Sequence, residues 1–455
     1  MKTSLTQTMA MEHIVIIGNG IAGSTLARHV RKLSNKRITM ISAEHDNFFS
    51  RTALMYVYMG HMRFKDTEPY PKSFWADNDI ALVHDKVKCI DVQHQVLSLE
   101  KGERLAYDKL VLATGSRPNE LKLKGEELLG VQGLYSKQDL EYMKANTMGV
   151  EHAVIVGGGL IGVEMAEMLL SRNITVDFIV RDTHFWGSVL PQADAQFVDQ
   201  HLQKHHGLTL HFSEELEEIL GADVGRVKGV RTLHGQKEIQ CDFVGVTIGV
   251  HPNIAVTFES DIAVNRGILV DEYLATNIPN VYAIGDCTEQ KNPLPGRKAI
   301  EQVWYTGRMM GETLAQTLCG NPTKYSPGNW FNSAKFFDLE YQTYGSVQAQ
   351  LQAGEEEFVF QSKNGKVLVH FVYEEQTKAL IGVNAFGIRL RHEVFDHWLN
   401  QQTPITEVLT NFESAVFDPE FFTQYGAEII SVFNTEKKMN IALTPKKWWQ
   451  KLIQA

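Results

Sequence analysis

The sequence predicts an α/β protein with two parallel βαβ units and a separate C-terminal α+β domain. Two glycine-rich turns, residues 18–23 and 157–162, each follow a short apolar run and precede a helical pattern. After about Tyr325 the pattern changes to successive strands, at 335–338 and beyond. Parallel strands need helical crossovers, and the first two thirds of the chain supplies them.

The composition is that of an ordinary globular protein. The length of 455 residues predicts about three domains. Hydrophobic residues make up 44% and charged residues 22%, which excludes a disordered, collagen-like or coiled-coil chain. The 44 basic and 54 acidic residues give a net charge of −10. Because nucleic-acid binders present a basic surface, this balance argues against a nucleic-acid partner.

Targeting signals and cysteine motifs are missing from the sequence. No apolar run approaches the roughly 18 residues of a membrane-spanning helix, and residues 1–13 lack the apolar core of a signal peptide. The cysteines are widely spaced, which argues against a disulfide framework and a four-cysteine zinc site. A reducing cytoplasm is therefore the expected compartment. The four cysteines are Cys89, Cys241, Cys287 and Cys319.

The first glycine turn has the pattern of a dinucleotide site. Gly18 permits the tight turn, Gly20 lets the backbone approach a pyrophosphate, and Gly23 allows the helix to pack on the strand. The free N–H groups of the helix start attract the phosphates. Glu44 ends the second strand, where a carboxylate accepts ribose hydroxyls. The predicted contacts of this turn are Gly18, Gly20, Ile21, Ala22 and Gly23.

The second turn repeats this pattern at Gly157, Gly159 and Gly162, before a helix to about Leu170 and a strand at 175–180. One such turn is weak evidence, but two in the same strand–helix context are far more specific. The sequence therefore predicts two dinucleotide sites.

Five motifs carry a family resemblance. The chain resembles the pyridine nucleotide-disulfide oxidoreductase superfamily, which implies two Rossmann-like dinucleotide-binding domains, for FAD and then NAD(P). The implied domains are residues 1–120 with 250–325 for FAD, 121–249 for NAD(P), and 326–455 as a dimerisation-type domain. The motifs are residues 18–23, 113–118, 157–164, 248–253 and 276–286.

The resemblance also implies individual cofactor contacts. Asp286 follows a strand-ending glycine, where it would accept a hydrogen bond from the ribityl chain of FAD. A helix expected from Lys298 to Leu318 would direct its N-terminal dipole at the flavin. The implied contacts outside the two glycine turns are Val87, Ala113, Thr114, Gly115, Gly249, Gly285, Asp286 and Val303.

Residues 47–60 depart from the commonest family pattern because they contain no cysteine. Disulfide and sulfenate chemistry need a thiolate, which this segment does not offer. The pattern of residues 49–54, Phe-Ser-Arg-Thr-Ala-Leu, resembles the branch of ferredoxin and rubredoxin reductases, the nitrite reductase flavin module and apoptosis-inducing factor. In that branch Arg51 would support FAD. Tyr56 replaces a lysine that pairs with Glu164. We interpret Tyr56 and Glu164 as a catalytic polar pair at the nicotinamide; simple packing and capping are the alternative.

The choice of pyridine nucleotide depends on the end of the second strand of the NAD(P) unit. Val180 occupies the usual acidic position, and Arg181 could meet a 2′-phosphate, which favours NADPH. In a shifted register Asp182 would act as the acid and favour NADH.

Two further features, a histidine pair and the last eleven residues, could each have a functional or a purely structural role. His201 and His205 are spaced i, i+4 on an expected helix, but no third ligand is evident, so the sequence predicts a surface helix and no metal. The basic, tryptophan-rich residues 445–455 could contact a membrane surface; packing on the C-terminal domain is the alternative.

The implied function is that of an FAD-dependent NAD(P)H oxidoreductase. Nicotinamide would pass hydride to flavin N5, and electrons would reach an acceptor without a cysteine relay. A small redox protein, a quinone and a small molecule stay open as acceptors. Residues 331–338 and 343–345 resemble a dimerisation domain and imply a homodimer. The alternatives are a flavin-bearing NAD(P)H sensor with slow turnover and a peripheral-membrane quinone reductase.

Overall fold

The computed structural model describes residues 11–222, 225–417 and 423–444. The chain divides into two compact units, each built from separate stretches. The first unit comprises residues 1–122, 129–150 and 246–327. The second comprises residues 123–128, 151–245 and 328–455.

The helices of the described residues are short to medium in length. They are α1 (Ile21–Leu33), α2 (Leu54–Tyr58), α3 (Ser73–Asp77), α4 (Lys137–Asn146), α5 (Leu160–Leu170), α6 (Gln192–Leu202), α7 (Trp304–Leu318), α8 (His392–Asn400), α9 (Ile405–Thr410) and α10 (Gly426–Lys437). In this part of the chain no helix combines the length and apolar character that a bilayer crossing requires.

The strands of the first half are β1 (His13–Ile17), β2 (Arg37–Ser42), β3 (Ile80–His84), β4 (Val87–Asp91), β5 (Val96–Leu99), β6 (Arg104–Ala106), β7 (Lys109–Leu112), β8 (Ser116–Pro118), β9 (Val131–Gln132), β10 (His152–Val156), β11 (Thr175–Val180), β12 (Leu208–Phe212) and β13 (Leu216–Gly221). Those of the second half are β14 (Val227–Thr232), β15 (Glu238–Gln240), β16 (Phe243–Val246), β17 (Val250–Pro252), β18 (Ile268–Val270), β19 (Val281–Ala283), β20 (Thr288–Gln290), β21 (Phe331–Phe336), β22 (Leu339–Gly345), β23 (Glu355–Gln361), β24 (Leu368–Glu374) and β25 (Leu380–Phe386).

The first unit is built on a parallel sheet with the strand order β19-β7-β1-β2-β3. Every residue of β1 is buried, as expected of a parallel strand covered on both faces. Because all five strands run the same way, their carboxyl ends meet at one edge of the sheet.

Helices α1 and α7 of this unit pack backbone against backbone. A Cβ on Gly311 would lie 2.7 Å from the carbonyl oxygen of Ala22, and one on Gly307 would lie 3.3 Å from Ile21 Cγ2. Only glycine tolerates the approach at Gly311. Since both contacts involve the first turns of α1, the start of α7 lies beside the start of α1.

Besides a small antiparallel sheet, β13-β14-β15, the described residues of the second unit form two larger sheets. In the first, β12, β11 and β10 pair in parallel, and β16 lies next to β10. The second is antiparallel, with the order β21-β22-β25-β24-β23, and packs on α8, α9 and α10 through a buried aromatic and aliphatic core. Ring contacts of Phe185 with Phe336 and of Trp186 with Tyr341 link the two parts of this unit. The predicted α/β class is confirmed.

One predicted helix begins later than expected. The sequence predicts helix from Lys298, whereas α7 begins at Trp304. The Gln302 side chain donates to Ser116 Oγ at 2.7 Å, and Val303 is extended, with φ −133° and ψ 151°. The hydrogen bond of Gln302 and the extended backbone at Val303 keep the segment before Trp304 out of the helix.

Candidate active site

Four predicted motifs of the first unit meet at the carboxyl edge of its parallel sheet. Gly18 follows β1 directly and Glu44 lies two residues after β2. Ala113 follows β7, and Gly285 comes shortly after β19. In open α/β sheets this edge is where ligands bind. The fold therefore brings together residues that are up to 267 positions apart in sequence.

Two glycines of the first turn are required by close backbone contacts. Gly18 has φ +114° and donates its N–H to the carbonyl of Ile41 at 2.8 Å. A Cβ at Gly18 would lie 2.0 Å from the Ala113 carbonyl oxygen, and one at Gly23 would lie 2.0 Å from the Gly18 carbonyl oxygen. Neither position accepts a side chain without moving the backbone.

Gly20 differs because its Cβ direction is open. Among the described residues, no heavy atom lies within 4 Å of a Cβ built there. Gly20 is the N-cap of α1, so the N–H groups of Ile21, Ala22 and Gly23 have no acceptor within the helix. An open cradle in front of unbonded N–H groups fits a pyrophosphate in charge and shape.

Glu44 and Arg51, which the sequence analysis assigned separately, form a bidentate ion pair. Arg51 Nη1 and Nη2 donate to the Glu44 carboxylate at 3.0 and 2.6 Å, and the Lys137 N–H donates to it at 2.9 Å. Burial alone would lower the pKa of the Arg51 guanidinium, but the bonds to Glu44 hold it above its usual range. A carboxylate has about four acceptor sites, so Glu44 retains room for about one further donor.

Tyr135 is a site residue that the sequence analysis missed. Its ring lies 4.5 Å from the Arg51 guanidinium carbon, and its hydroxyl accepts the Ser116 N–H at 3.0 Å. Burial raises the pKa of Tyr135, which keeps the hydroxyl neutral. The residue thus joins the ion pair to the turn after β7.

Asp286 ends a hydrogen-bonded chain of side chains. Ser116 Oγ donates to Asp286 Oδ2 at 3.1 Å and itself accepts from Gln302 Nε2 at 2.7 Å. Burial raises the pKa of Asp286. Gly285 has φ +77°, and a Cβ there would lie 3.0 Å from Ala22 Cβ. Ser116 and Gln302 carried no sequence signal, because their roles depend on the fold.

The remaining predicted FAD contacts of the first unit are held mainly by contacts within the protein. Thr114 Oγ1 donates to the carbonyl of Asn253 at 2.6 Å, which fixes the segment that holds Ala113 and Gly115. Gly249 has φ +93°, and its carbonyl accepts from Asn119. Two further residues complete the set: Val87 is buried at the start of β4, and Val303 is the N-cap of α7.

The second glycine turn repeats the first in the second unit. Gly157 has φ +113° and donates to the carbonyl of Ile179 at 3.0 Å. A Cβ at Gly158 would lie 2.7 Å from Val180 Cγ1, whereas one at Gly159 meets no heavy atom of the described chain within 4 Å. Gly162 is buried in α5. The open glycine again stands at the start of a helix.

The end of β11 presents a basic residue. Val180 is buried against the glycine turn, so it occupies the usual acidic position without an acid. The Arg181 side chain is 76% exposed, and its Nε lies 3.9 Å from Asp182 Oδ1. Asp182 Oδ2 accepts the Ser188 N–H at 3.1 Å, which directs this carboxylate at its own loop.

The two candidate catalytic residues lie in different units. Tyr56, on α2, is half-buried and stacks on His61 with ring centroids 6.1 Å apart. Glu164 lies on α5, where burial and the neighbouring Glu167 carboxylate raise its pKa to about 7. Glu167 is itself paired with Lys335 at 3.0 Å. The pairing of Tyr56 with Glu164 stays a prediction.

The histidine pair differs from its prediction. Helix α6 ends at Leu202, so His205 lies in the following turn rather than on the helix. A third potential ligand, which was not evident from the sequence, lies beside the pair: Asp338 Oδ1 is 2.9 Å from His201 Nε2. The partner was hidden because it is 137 positions further along the chain. The predicted membrane-contacting segment, 445–455, lies outside the described residues.

Comparison with known proteins identifies the family. The family model described as pyridine nucleotide-disulphide oxidoreductase matches residues 12–311. The chain belongs to this family. The predicted family is therefore confirmed, and with it the predicted cofactors, FAD and NAD(P)H.

Two curated relatives come from Bacillus subtilis (strain 168). The chain is 31% identical over 326 residues to a nitrite reductase [NAD(P)H], which covers 70% of this chain and 39% of the relative. It is 28% identical over 448 residues to an assimilatory nitrate reductase electron transfer subunit, covering 94% of this chain and 55% of the relative. The chain thus spans about two fifths of the nitrite reductase and about half of the electron transfer subunit.

A solved structure supports the same family. The ferredoxin reductase of the CYP199A2 system from Rhodopseudomonas palustris has a TM-score of 0.75 and 25% identity, covering 83% of this chain and 91% of that chain. This likeness agrees with the family to which the chain belongs.

The positions of the four cysteines decide whether a thiol can relay electrons in this protein. All four cysteines are free, and residues 47–60 contain none. Cys287, next to Asp286, is fully buried, and burial raises the pKa of its thiol. A reactive thiol needs a lowered pKa and access, so Cys287 is a packing residue.

Proposed function

We propose that this protein is an FAD-dependent NAD(P)H oxidoreductase that passes electrons to a separate acceptor without a thiol relay. The observation that carries the proposal is the pair of open glycines, Gly20 and Gly159, each in front of a helix start, combined with a cysteine-free segment 47–60. FAD, when bound, would take up hydride from NAD(P)H and supply its electrons to the acceptor.

The residues of this chain would bind and orient the two cofactors. Arg51 holds the Glu44 carboxylate in place, and the chain from Gln302 through Ser116 positions Asp286. The proposed FAD contacts are Gly18, Gly20, Ile21, Ala22, Gly23, Glu44, Arg51, Val87, Ala113, Thr114, Gly115, Gly249, Gly285, Asp286 and Val303. The proposed pyridine-nucleotide contacts are Gly157, Gly159, Gly162 and Arg181.

The domain division is part of the proposal. Residues 1–120 with 250–325 would form the FAD domain, 121–249 the NAD(P) domain, and 326–455 the dimerisation-type domain. A homodimer follows from the resemblance of the last domain, and light scattering at several concentrations tests it. A cytoplasmic location agrees with four free cysteines.

The proposed acceptor is a small redox protein with an acidic docking face. In the first unit, a cavity of about 640 Å³ is lined by the exposed cations Arg266 and Lys298 and by the exposed His251. Gln302 also lines it, so this basic opening adjoins the Ser116–Asp286 chain. Although the whole protein is acidic, local positive charge steers an acidic partner. The names of the electron transfer subunit and the ferredoxin reductase agree with such an acceptor.

Anaerobic titration tests the hydride donor. We expect NADPH to bleach the flavin absorbance, and Arg181→Ala to raise the KM for NADPH about 10- to 100-fold, the usual effect of losing a charged hydrogen bond to phosphate. NADH is the internal control and should change little. Absence of bleaching with either nucleotide would contradict the proposed function; an equal effect on both nucleotides would contradict only the NADPH preference.

Charge reversal tests the acceptor surface. We expect Lys298→Glu to slow reduction of an acidic ferredoxin about tenfold at low salt, with the difference shrinking as salt screens the charges. Flavin bleaching by NADPH should be unaffected. Lys88→Glu, the same charge change at an exposed position of β4 that does not line the cavity, is the matched control. Equal slowing by both variants would refute this docking surface.

A further inference from the structure

Three side chains of the second unit converge outside the proposed cofactor sites. The Nε2 atoms of His201 and His205 lie 3.4 Å apart. Asp338 Oδ1 lies 2.9 Å from the first nitrogen and 3.6 Å from the second. The three atoms therefore form a small triangle with sides of 2.9, 3.4 and 3.6 Å.

The size of this triangle suits a metal ion. A point equidistant from its three corners lies about 1.9 Å from each of them, as follows from the three separations. Zinc bonds to imidazole nitrogen and carboxylate oxygen are about 2.0 to 2.2 Å long. An ion slightly above the plane would thus reach all three atoms without movement of the side chains, and its outer side would be open to water.

The fold presents these ligands from two elements. His201 lies near the end of α6, and His205 lies in the turn after it. Asp338 belongs to the two-residue turn between β21 and β22, whose ends pair at Phe336 and Leu339. The other turn residue, Phe337, has φ +57° and stacks on the His205 ring at 4.1 Å. This stacking fixes the second imidazole beside the carboxylate.

We propose that His201, His205 and Asp338 form a binding site for a divalent transition-metal ion, with Zn²⁺ as the preferred ion. Two imidazoles and one carboxylate suit zinc and its transition-metal neighbours, whereas calcium and magnesium prefer an all-oxygen shell. Three protein ligands leave the fourth position for water. This inference is independent of the flavin chemistry proposed above.

A simple ion pair accounts for less of the arrangement. An ion pair explains the contact of His201 with Asp338, and an N–H···N hydrogen bond explains why the two Nε2 atoms lie 3.4 Å apart, but neither contact requires all three atoms to face one common point. Two protonated rings would repel each other at this distance. A neutral imidazole is the form that binds metal.

The ion would connect two parts of the second unit. It would join α6, which belongs to the segment with the second glycine turn, to the β21–β22 hairpin. A ligand that binds only the folded state stabilises it. We therefore expect a bound ion to stabilise the second unit, independently of hydride transfer.

Zinc titration of the FAD-loaded protein tests the site. The protein should be free of any affinity tag and dialysed against EDTA. With ZnCl₂, we expect calorimetry to give one ion per chain at micromolar affinity or tighter, and the melting temperature to rise by a few degrees. His205→Gln and Asp338→Asn should each weaken binding about 100-fold or more, since each removes a ligand. His206→Gln, the exposed neighbour, should bind like the original chain.

Three outcomes would overturn the inference. They are absence of saturable zinc binding, unchanged affinity in His205→Gln and Asp338→Asn, and equal weakening by His206→Gln. Binding that persists in both ligand variants would place the zinc elsewhere, for instance on the free cysteines. Circular dichroism checks that each variant is folded, and the two ligands come from different elements, so one variant remains interpretable if the other fails.

Discussion

Replacing Gly20 by valine is expected to yield a folded protein that no longer retains FAD. No heavy atom of the described chain lies within 4 Å of a Cβ at this position, and Gly20 has φ −67°, so valine costs the fold little. The new side chain would fill the space through which the backbone approaches a pyrophosphate. We expect FAD affinity to fall at least about 100-fold, equivalent to about 2.7 kcal/mol, measured from flavin absorbance per protein.

Gly159→Val is the matched control because Gly159 has the same open surroundings in the second turn. This variant should keep its FAD and lose affinity for the pyridine nucleotide. Gly18→Ala should behave differently from both, since its Cβ would lie 2.0 Å from the Ala113 carbonyl oxygen and would destabilise the fold itself. If Gly20→Val stays yellow with unchanged FAD affinity, the first turn is not the FAD cradle.

The sequence predicted those parts of the site that depend on short, local patterns of residues. A positive φ and a close backbone approach require glycine for the fold, and the approach of a pyrophosphate to the open helix start requires it for binding, so Gly18, Gly23 and Gly20 marked the first turn directly. Glu44 was found by its distance from that turn along a βαβ unit. The second turn was predictable for the same reasons, and so was the edge of the sheet where the strands end.

The parts that the sequence did not predict depend on contacts between distant residues. Tyr135 reaches Arg51, 84 positions away, and Gln302 reaches Ser116, 186 positions away. Neither pairing leaves a periodic pattern. The start of α7 was misplaced because Gln302 is anchored by that same contact. Asp338 could not be assigned to the histidine pair because only the β21–β22 turn brings it there.

A second large effect is expected at a buried charge cluster in the second unit. His370 on β24 is 1% exposed and Asp194 on α6 is fully buried. His370 Nδ1 lies 2.7 Å from Asp194 Oδ1, and its Nε2 lies 3.0 Å from Glu357 Oε2. The other oxygen of Asp194 accepts from Asn384 Nδ2 at 2.7 Å. The carboxylate therefore depends on His370 for its charge partner.

His370→Leu is expected to lower the free energy of unfolding by about 3 to 5 kcal/mol, because it leaves Asp194 as a buried charge without its cation. The double variant with Asp194→Asn removes that charge and should recover a large part of the loss. Denaturant unfolding of the two single variants and the double variant measures the coupling. Additive losses would show that the two residues do not act as a pair. His234→Leu, at an exposed position, is the control.

The same cluster predicts how stability depends on pH. Burial lowers the pKa of His370, but the bonds to Asp194 and Glu357 outweigh it and raise the pKa to about 9. Because this value lies above that of the unfolded chain, about 6.5, the contribution is complete below pH 6.5 and is lost as the pH rises through about 9. It amounts to about 3 kcal/mol. Other groups also titrate above pH 8, so the measurable quantity is the stability difference between the original chain and His370→Leu. This difference should shrink between pH 7 and pH 10, and a constant difference would mean that His370 is neutral in the folded protein.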